Sequence, residues 1–380
     1  MLLIPGPVSC SSNVIKTLGS DSLSHTGGEF TAVFHNVLKQ LRVLFHSDIT
    51  SGSLPVVISG SGTLGFDIVA NNLFPPGKDK ILLLSTGYFS DEFGECLQEF
   101  YGYDVTVLKS DSIGESINLN KLQDQLLKEK YDAVVMTHVD TSTGVLNDLQ
   151  SISGIIHEKS PQSLIVVDAV CSLGCEEILF DDWKLDFVLS ASQKAICGPS
   201  GLSVSMISER ALQVALNNDQ PRQNFYTSLK KWAPCLQSYE SGKLPVKYFA
   251  TPPTQLIGAL NVALIELLNH DYVRDHRARS NWFKKELVES LGLKLVSKGP
   301  VETTAHGLTA VYVSDPMRVV SILAEQGITI AGGLHPEIKS QYVRVGLMGM
   351  SAIGNSDSNT HSSLSRVLAV LEKTESAESK

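Results

Sequence analysis

The sequence predicts an α/β protein with a mostly parallel central sheet in a large domain, followed by a smaller α+β C-terminal domain. Three observations carry that prediction. Short apolar runs alternate with amphipathic stretches through the first half of the chain. Two of those runs end in features suited to chemistry, a glycine-rich turn and a lone carboxylate. After about residue 255 the alternation gives way to long helical stretches separated by shorter strands.

The runs at 54–59 (LPVVIS), 80–85 (KILLLS), 133–137 (AVVMT), 163–168 (SLIVVD) and 186–190 (DFVLS) each read as a buried strand. They are short and rich in β-branched residues, as strands covered on both faces are. Helix-period stretches at 118–129 and 149–158 have the length of crossovers, so neighbouring strands should run parallel. Beyond 255, a long apolar helix is expected over 255–268 and a charged one over 270–290. Strands are expected at 293–297, 308–313 and 342–345, and helices at 317–326 and 362–373. The polar tail 374–380 is expected to fray. The resulting division is an N-terminal segment 1–20, a large domain 21–260 and a small domain 261–380.

Composition narrows the function. With 43% hydrophobic and 19% charged residues among 380, the chain is neither disordered nor fibrous. Its 31 basic and 40 acidic residues leave a charge of −9, without a basic run for nucleic acid. No stretch reaches the roughly 20 apolar residues a membrane span needs. Six cysteines are scattered without zinc-ligand spacing, so no metal is expected, and they read as small buried residues in a reducing compartment. The start MLLIPGPVSC carries no basic region, and the end ESAESK is no peroxisomal address. Cytoplasmic residence is the expectation, with organellar import left open by the Met-Leu start.

The turn Gly60-Ser61-Gly62-Thr63-Leu64-Gly65 is a G-x-G-x-x-G after a strand and before a helix. A dinucleotide site would need a carboxylate ending the next strand, where ribose hydroxyls bind. That strand ends Leu84-Ser85-Thr86-Gly87, and Asp79 stands at its wrong end. The dinucleotide oxidoreductase reading is therefore disfavoured and stays only as a lesser alternative. A phosphate monoester remains suited to the turn, where Ser61 and Thr63 add hydroxyls to the free N–H groups of a helix start. A plain structural turn stays open as the alternative.

Asp168 closes an apolar strand, and Lys194 lies just past the next one, in Ser190-Ala191-Ser192-Gln193-Lys194-Ala195. Each alone has an ordinary reading, a helix cap for the Asp and a solvated surface group for the Lys. Together with a phosphate turn they form the set that pyridoxal 5'-phosphate chemistry requires. A lysine amine condenses with the cofactor aldehyde, and a buried carboxylate keeps the pyridine nitrogen protonated.

These segments, with SGSGT (59–63), THVDTSTGVL (137–146), DAVCSLG (168–174) and SASQKAICGPSG (190–201), resemble the class V aminotransferases of PLP fold type I. Among them the resemblance is to the alanine–glyoxylate and serine–pyruvate aminotransferases, and LIPGPV and YVRVGLMG extend it over nearly the whole chain. The resemblance implies that Lys194 is the Schiff-base lysine and Asp168 the partner of the ring nitrogen. Ser61, Gly62 and Thr63 match the phosphate cup, with Gln193 beside it; many relatives carry His where Thr63 stands. Phe89 matches a stacking Trp of mammalian relatives and keeps a ring face with less area. Thr141 matches the hydroxyl residue near the ring oxygen. Tyr248 and Thr251 match a pair that reaches the phosphate from a neighbouring subunit, implying a homodimer with shared sites. Arg344, within an apolar strand, matches the residue that grips the substrate carboxylate, a structural ion pair being its alternative. His25 lies in a segment that borders the site in relatives, with no chemical role expected.

The implied reaction is a ping-pong transamination of small amino and keto acids, L-alanine and glyoxylate giving pyruvate and glycine. Serine–pyruvate or serine–glyoxylate exchange is the nearer alternative. A lyase on the same fold, such as a cysteine desulfurase, would carry a nucleophilic Cys in a late loop, and no cysteine follows Cys235.

Overall fold

In the computed structural model, residues 1–74, 79–217, 223–353 and 358–378 are described. The strands are β1 (Leu54–Ser59), β2 (Lys80–Ser85), β3 (Asp104–Lys109), β4 (Ala133–Thr137), β5 (Val139–Asp140), β6 (Val145–Leu146), β7 (Leu164–Asp168), β8 (Phe187–Ala191), β9 (Leu202–Ile207), β10 (Leu308–Tyr312), β11 (Ala331–Gly332) and β12 (Tyr342–Gly346). The α-helices are α1 (Ser12–Leu18), α2 (Gly28–Phe45), α3 (Leu64–Asn72), α4 (Tyr88–Glu95), α5 (Leu119–Lys128), α6 (Leu149–Lys159), α7 (Glu209–Asn217), α8 (Leu229–Glu240), α9 (Thr254–Leu268), α10 (Tyr272–Lys285), α11 (Pro316–Glu325) and α12 (Ser358–Glu378).

A seven-stranded sheet of order β1-β9-β8-β7-β4-β2-β3 forms the centre. Only β9 runs against its neighbours; the other six strands point one way. The sheet is therefore mostly parallel, as expected, and its six carboxyl ends open on the same side. Strands β4, β7, β8 and β9 are buried along their whole length; for β4, β7 and β8 this is why they read as apolar runs. Asn118 and Asp148 cap α5 and α6 through their side chains, fixing where those crossovers begin.

A second, three-stranded antiparallel sheet has the order β10-β12-β11, with Arg344 on its middle strand. Its apolar side packs with Phe283 of α10 and Leu287 just after it, Leu323 of α11 and Leu364 of α12 in a cluster separate from the main core. Leu3 joins that cluster: its N–H donates to Thr329 O, and its carbonyl accepts from Gly346 N–H. Helix α9 packs on α1 and α2, and its buried face belongs to the main core.

Two expectations are corrected. The strand expected over 293–297 reduces to a single bridge, Leu295 with Val311. Val296 N–H still donates to Ala310 O, but the Lys298 N–H turns to Gly114 O and draws the chain off the sheet. Of the tail 374–380 expected to fray, residues 374–378 instead continue α12 to Glu378, and 379–380 lie outside the described residues. Thr374 is buried, and Glu375 Oε1 accepts from both the N–H and the hydroxyl of Ser314, so tertiary contacts hold a polar turn in helix. No helix among the described residues is long and apolar enough to cross a membrane.

Candidate active site

The residues at the carboxyl ends of β1, β2, β7 and β8 converge on one cavity of about 150 Å³. From the turn after β1 come Ser61, Gly62 and Thr63; from the start of α4, Phe89; from the turn between β5 and β6, Thr141. Asp168 ends β7, and Gln193 and Lys194 follow β8. The structure thus brings together eight of the eleven candidate site residues. This is the topology expected of an open α/β sheet, whose strand ends form the ligand crevice.

The cup after β1 leaves its donors free. Thr63 caps α3 without a side-chain hydrogen bond, and the N–H groups of Ser61, Gly62 and Thr63 find no backbone acceptor among the described residues. Gly62 is required by close approach, since a Cβ there would meet Val170 Cγ2 at 2.7 Å and Ala191 Cβ at 3.3 Å. Free amides at a helix start, with two hydroxyls beside them, form an anion site.

Asp168 is only 5% exposed, and its Oδ1 accepts a hydrogen bond from Val170 N–H at 2.8 Å. Burial pushes its carboxyl up to about 7; the Val170 bond opposes the rise, the Asp140 charge adds to it, and the Lys194 amine opposes it. Lys194 Nζ donates to Pro5 O, from the N-terminal segment, and Val8 N–H donates to Gln193 O. Gln193 Oε1 is buried without a partner. A carboxyl that lacks a cation and a buried amide oxygen that lacks a donor mark a cavity built to be completed by a ligand.

Sequence reasoning missed Phe66, Val139, Val170 and Cys171, which also line the cavity. Val170 and Cys171 lie inside the DAVCSLG segment, which was the available signal. Cys171 is buried, and burial pushes its thiol up to about 11, opposed in part by the Lys194 charge and the nearby Thr141 hydroxyl, so it stays protonated and unreactive. All six cysteines are free; four are buried, and Cys10 and Cys96 are partly exposed.

Arg344 lies beside the cavity: its Nη1 donates to Thr141 O at 3.4 Å and its Nε to Gly332 O at 2.8 Å. It has no ion-pair partner among the described residues, against the structural ion pair held open as its alternative. Tyr248 and Thr251 do not line the cavity of their own chain. Tyr248 is 59% exposed, its hydroxyl lies 3.2 Å from Thr251 Oγ1, and its ring packs on His25.

A second group of buried titratable residues lies outside the cavity. Glu176 accepts from the His306 backbone N–H and pairs with His306 Nδ1, both at 2.6 Å. Lys284 Nζ donates to Thr304 Oγ1 at 2.7 Å and to Ala305 O, and burial pulls its amine down to about 7. His276 accepts Gly349 N–H at Nε2, which leaves Nδ1 to donate to Tyr272 O.

Comparison with known proteins places these observations in a family. The profile of the class-V aminotransferases matches residues 10–355. Alanine–glyoxylate aminotransferase 1 of Saccharomyces cerevisiae is 48% identical over 359 residues, covering 92% of each chain. The alanine–glyoxylate aminotransferase of Oryctolagus cuniculus is 28% identical, covering 93% of this chain and 88% of its own. The crystal structure of an alanine–glyoxylate aminotransferase from Nostoc sp. superposes with a TM-score of 0.85 at 27% identity, over 98% of this chain and 94% of that one.

Proposed function

The chain belongs to the class-V aminotransferase family, and on that footing we propose that it transfers the amino group of L-alanine to glyoxylate, giving pyruvate and glycine. The observation that carries the reading is the meeting of Lys194, Asp168, Gln193 and the 61–63 cup in one cavity. Pyridoxal phosphate, when bound, supplies an aldehyde that condenses with amines and a ring that accepts electrons.

The residues present fit that cofactor. The 61–63 cup offers free amides and hydroxyls for a phosphate, and Asp168 offers a buried carboxylate for a protonated ring nitrogen. Phe89 offers a ring face, and Thr141 a hydroxyl. Lys194 holds the amine that would condense with the aldehyde, and its free amine could move a proton at the substrate Cα. Asp168, 5% exposed, would pair with a protonated ring nitrogen and favour positive charge there. Arg344, without a carboxylate of its own, binds the substrate's.

The large domain over 21–260 holds the cofactor, and the small domain over 261–380 brings Arg344; the two separate apolar clusters support two such units, although α9 (Thr254–Leu268), which crosses the 260/261 boundary, packs whole on the larger one. The exposed Phe225, Leu244 and Tyr248 support a homodimer in which Tyr248 and Thr251 complete the partner's phosphate cup. Six free thiols support a reducing compartment, the cytoplasm.

The test is spectroscopic. L-alanine should bleach the visible band of the purified protein while pyruvate appears, and glyoxylate should restore the band while glycine forms. A band that responds to neither would refute the assignment.

A further inference from the structure

Asp140 is buried, lies next to Thr141, and its backbone takes part in the short β5–β6 ladder. Its carboxylate serves two segments 50 residues apart. Oδ1 accepts from Ser142 N–H at 2.9 Å and Ser142 Oγ at 2.6 Å. Oδ2 accepts from Phe89 N–H at 3.1 Å and Ser90 N–H at 3.3 Å, with Ser90 Oγ also 3.3 Å away. The Ser142 hydroxyl in turn accepts Tyr88 N–H at 3.0 Å. The approach is so close that a Cβ at Gly87 would stand 2.5 Å from Ser142 Oγ and 2.6 Å from Asp140 Cγ, which is why only glycine fits there.

The donors met here are the first amides of α4, which have no acceptor inside their own helix. A carboxylate is the side chain that satisfies several at once and complements the positive end of the helix dipole. The same turn is held from the other side. Tyr342 OH donates to Ser142 O while accepting Leu334 and His335 N–H, and Arg344 Nη1 donates to Thr141 O. The Asp140 charge also reaches the cavity, where it is felt at Asp168, Cys171 and Arg344.

We propose that Asp140 is a positioning residue for the cofactor ring: by clamping the start of α4 to the 140–144 turn, one buried side chain sets Phe89 and Thr141 relative to each other. This rests on the cofactor reading above. An asparagine at 140 keeps the size but presents an NH₂ group to the amides of Phe89 or Ser142, so one half of the clamp must open.

The test is a double-mutant cycle read as pyridoxal phosphate affinity of the apo protein, by quenching of intrinsic fluorescence. Asp140→Asn should weaken binding roughly tenfold and reduce the visible circular dichroism of the bound cofactor. Phe89→Ala should weaken it comparably, and adding Asp140→Asn to Phe89→Ala should cost little more. Additive losses, or an unchanged affinity with only a lower melting temperature, would overturn the proposal. Should Asp140→Asn not fold, Ser90→Ala removes a hydroxyl from the same clamp and enters the same cycle with the same expectations. Failure of the wild-type apo protein to bind the cofactor would instead refute the cofactor reading, and this one with it.

Discussion

Asp168 and Glu176 are carboxylates on the same stretch of chain, 5% and 4% exposed, yet burial has opposite outcomes for them. Glu176 has two hydrogen bonds from His306, and they hold its carboxyl below the ordinary value although burial alone would raise it. Asp168 has one amide and, among the described residues, no ion-pair partner, and burial carries it up to about 7. The lysines divide by place: both amines donate to protein oxygens, Lys194 to Pro5 O, but only one faces the cavity. Lys284 is 1% exposed with its amine held between Thr304 and Ala305, outside any cavity described above, whereas Lys194 faces the cavity that Asp168 lines. A buried charge whose partners are all protein reports structure. One whose partner is missing, beside a space, reports a ligand.

The largest effect separates the lysines. Lys194→Ala should lower turnover on the order of 10⁴-fold and remove the visible band, whereas Lys284→Met should leave the band in whatever protein folds. The carboxylates should then separate by stability. Glu176→Gln breaks a buried pair and should cost about 3–5 kcal/mol of unfolding free energy, measured by denaturant titration of the apo protein. Asp168→Asn should cost the apo protein nothing or stabilise it, while sharply lowering turnover.

The pH dependence should divide them as well. The unfolded Asp168 carboxyl titrates near 3.8 and the folded one near 7. Its contribution to apo stability is therefore full below about 3.8 and lost as pH rises through about 7, by up to about 4 kcal/mol. The stability difference between wild type and Asp168→Asn should shift in that direction over that window. Glu176 has the opposite sign: its contribution is present above the unfolded value of 4.5 and lost as pH falls through its lower folded one. The smallest effect belongs to Arg344. Arg344→Ala should raise KM for both substrates about 10- to 100-fold and leave pyridoxal phosphate affinity unchanged; an unchanged KM would make Arg344 structural.

What could be read from the sequence follows from how local each signal is. Strands β1, β2, β4, β7 and β8 are unbroken apolar runs, and their tips carry the cup, Asp168 and Lys194. Strand β9, LSVSMI, hides its burial behind two serines, and the edge strand β3, DVTVLK, is only partly covered, so neither stood out. The bridge at Leu295 and the extension of α12 were decided by contacts with Ala310 and Ser314, distant in sequence. Asp140 was visible as a letter in a motif, but its role depends on residues 87–90 packing against it. The pairing of Glu176 with His306 spans 130 residues, and no local pattern announces it.

The central claim is that Lys194, beside the unpartnered carboxylate, and not the fully buried Lys284, carries the cofactor. Borohydride reduction of the purified holoenzyme, followed by peptide mass mapping, tests this directly. A pyridoxyl adduct on the peptide containing Lys194 is the predicted result; an adduct on Lys284, or no adduct on any lysine, would contradict it.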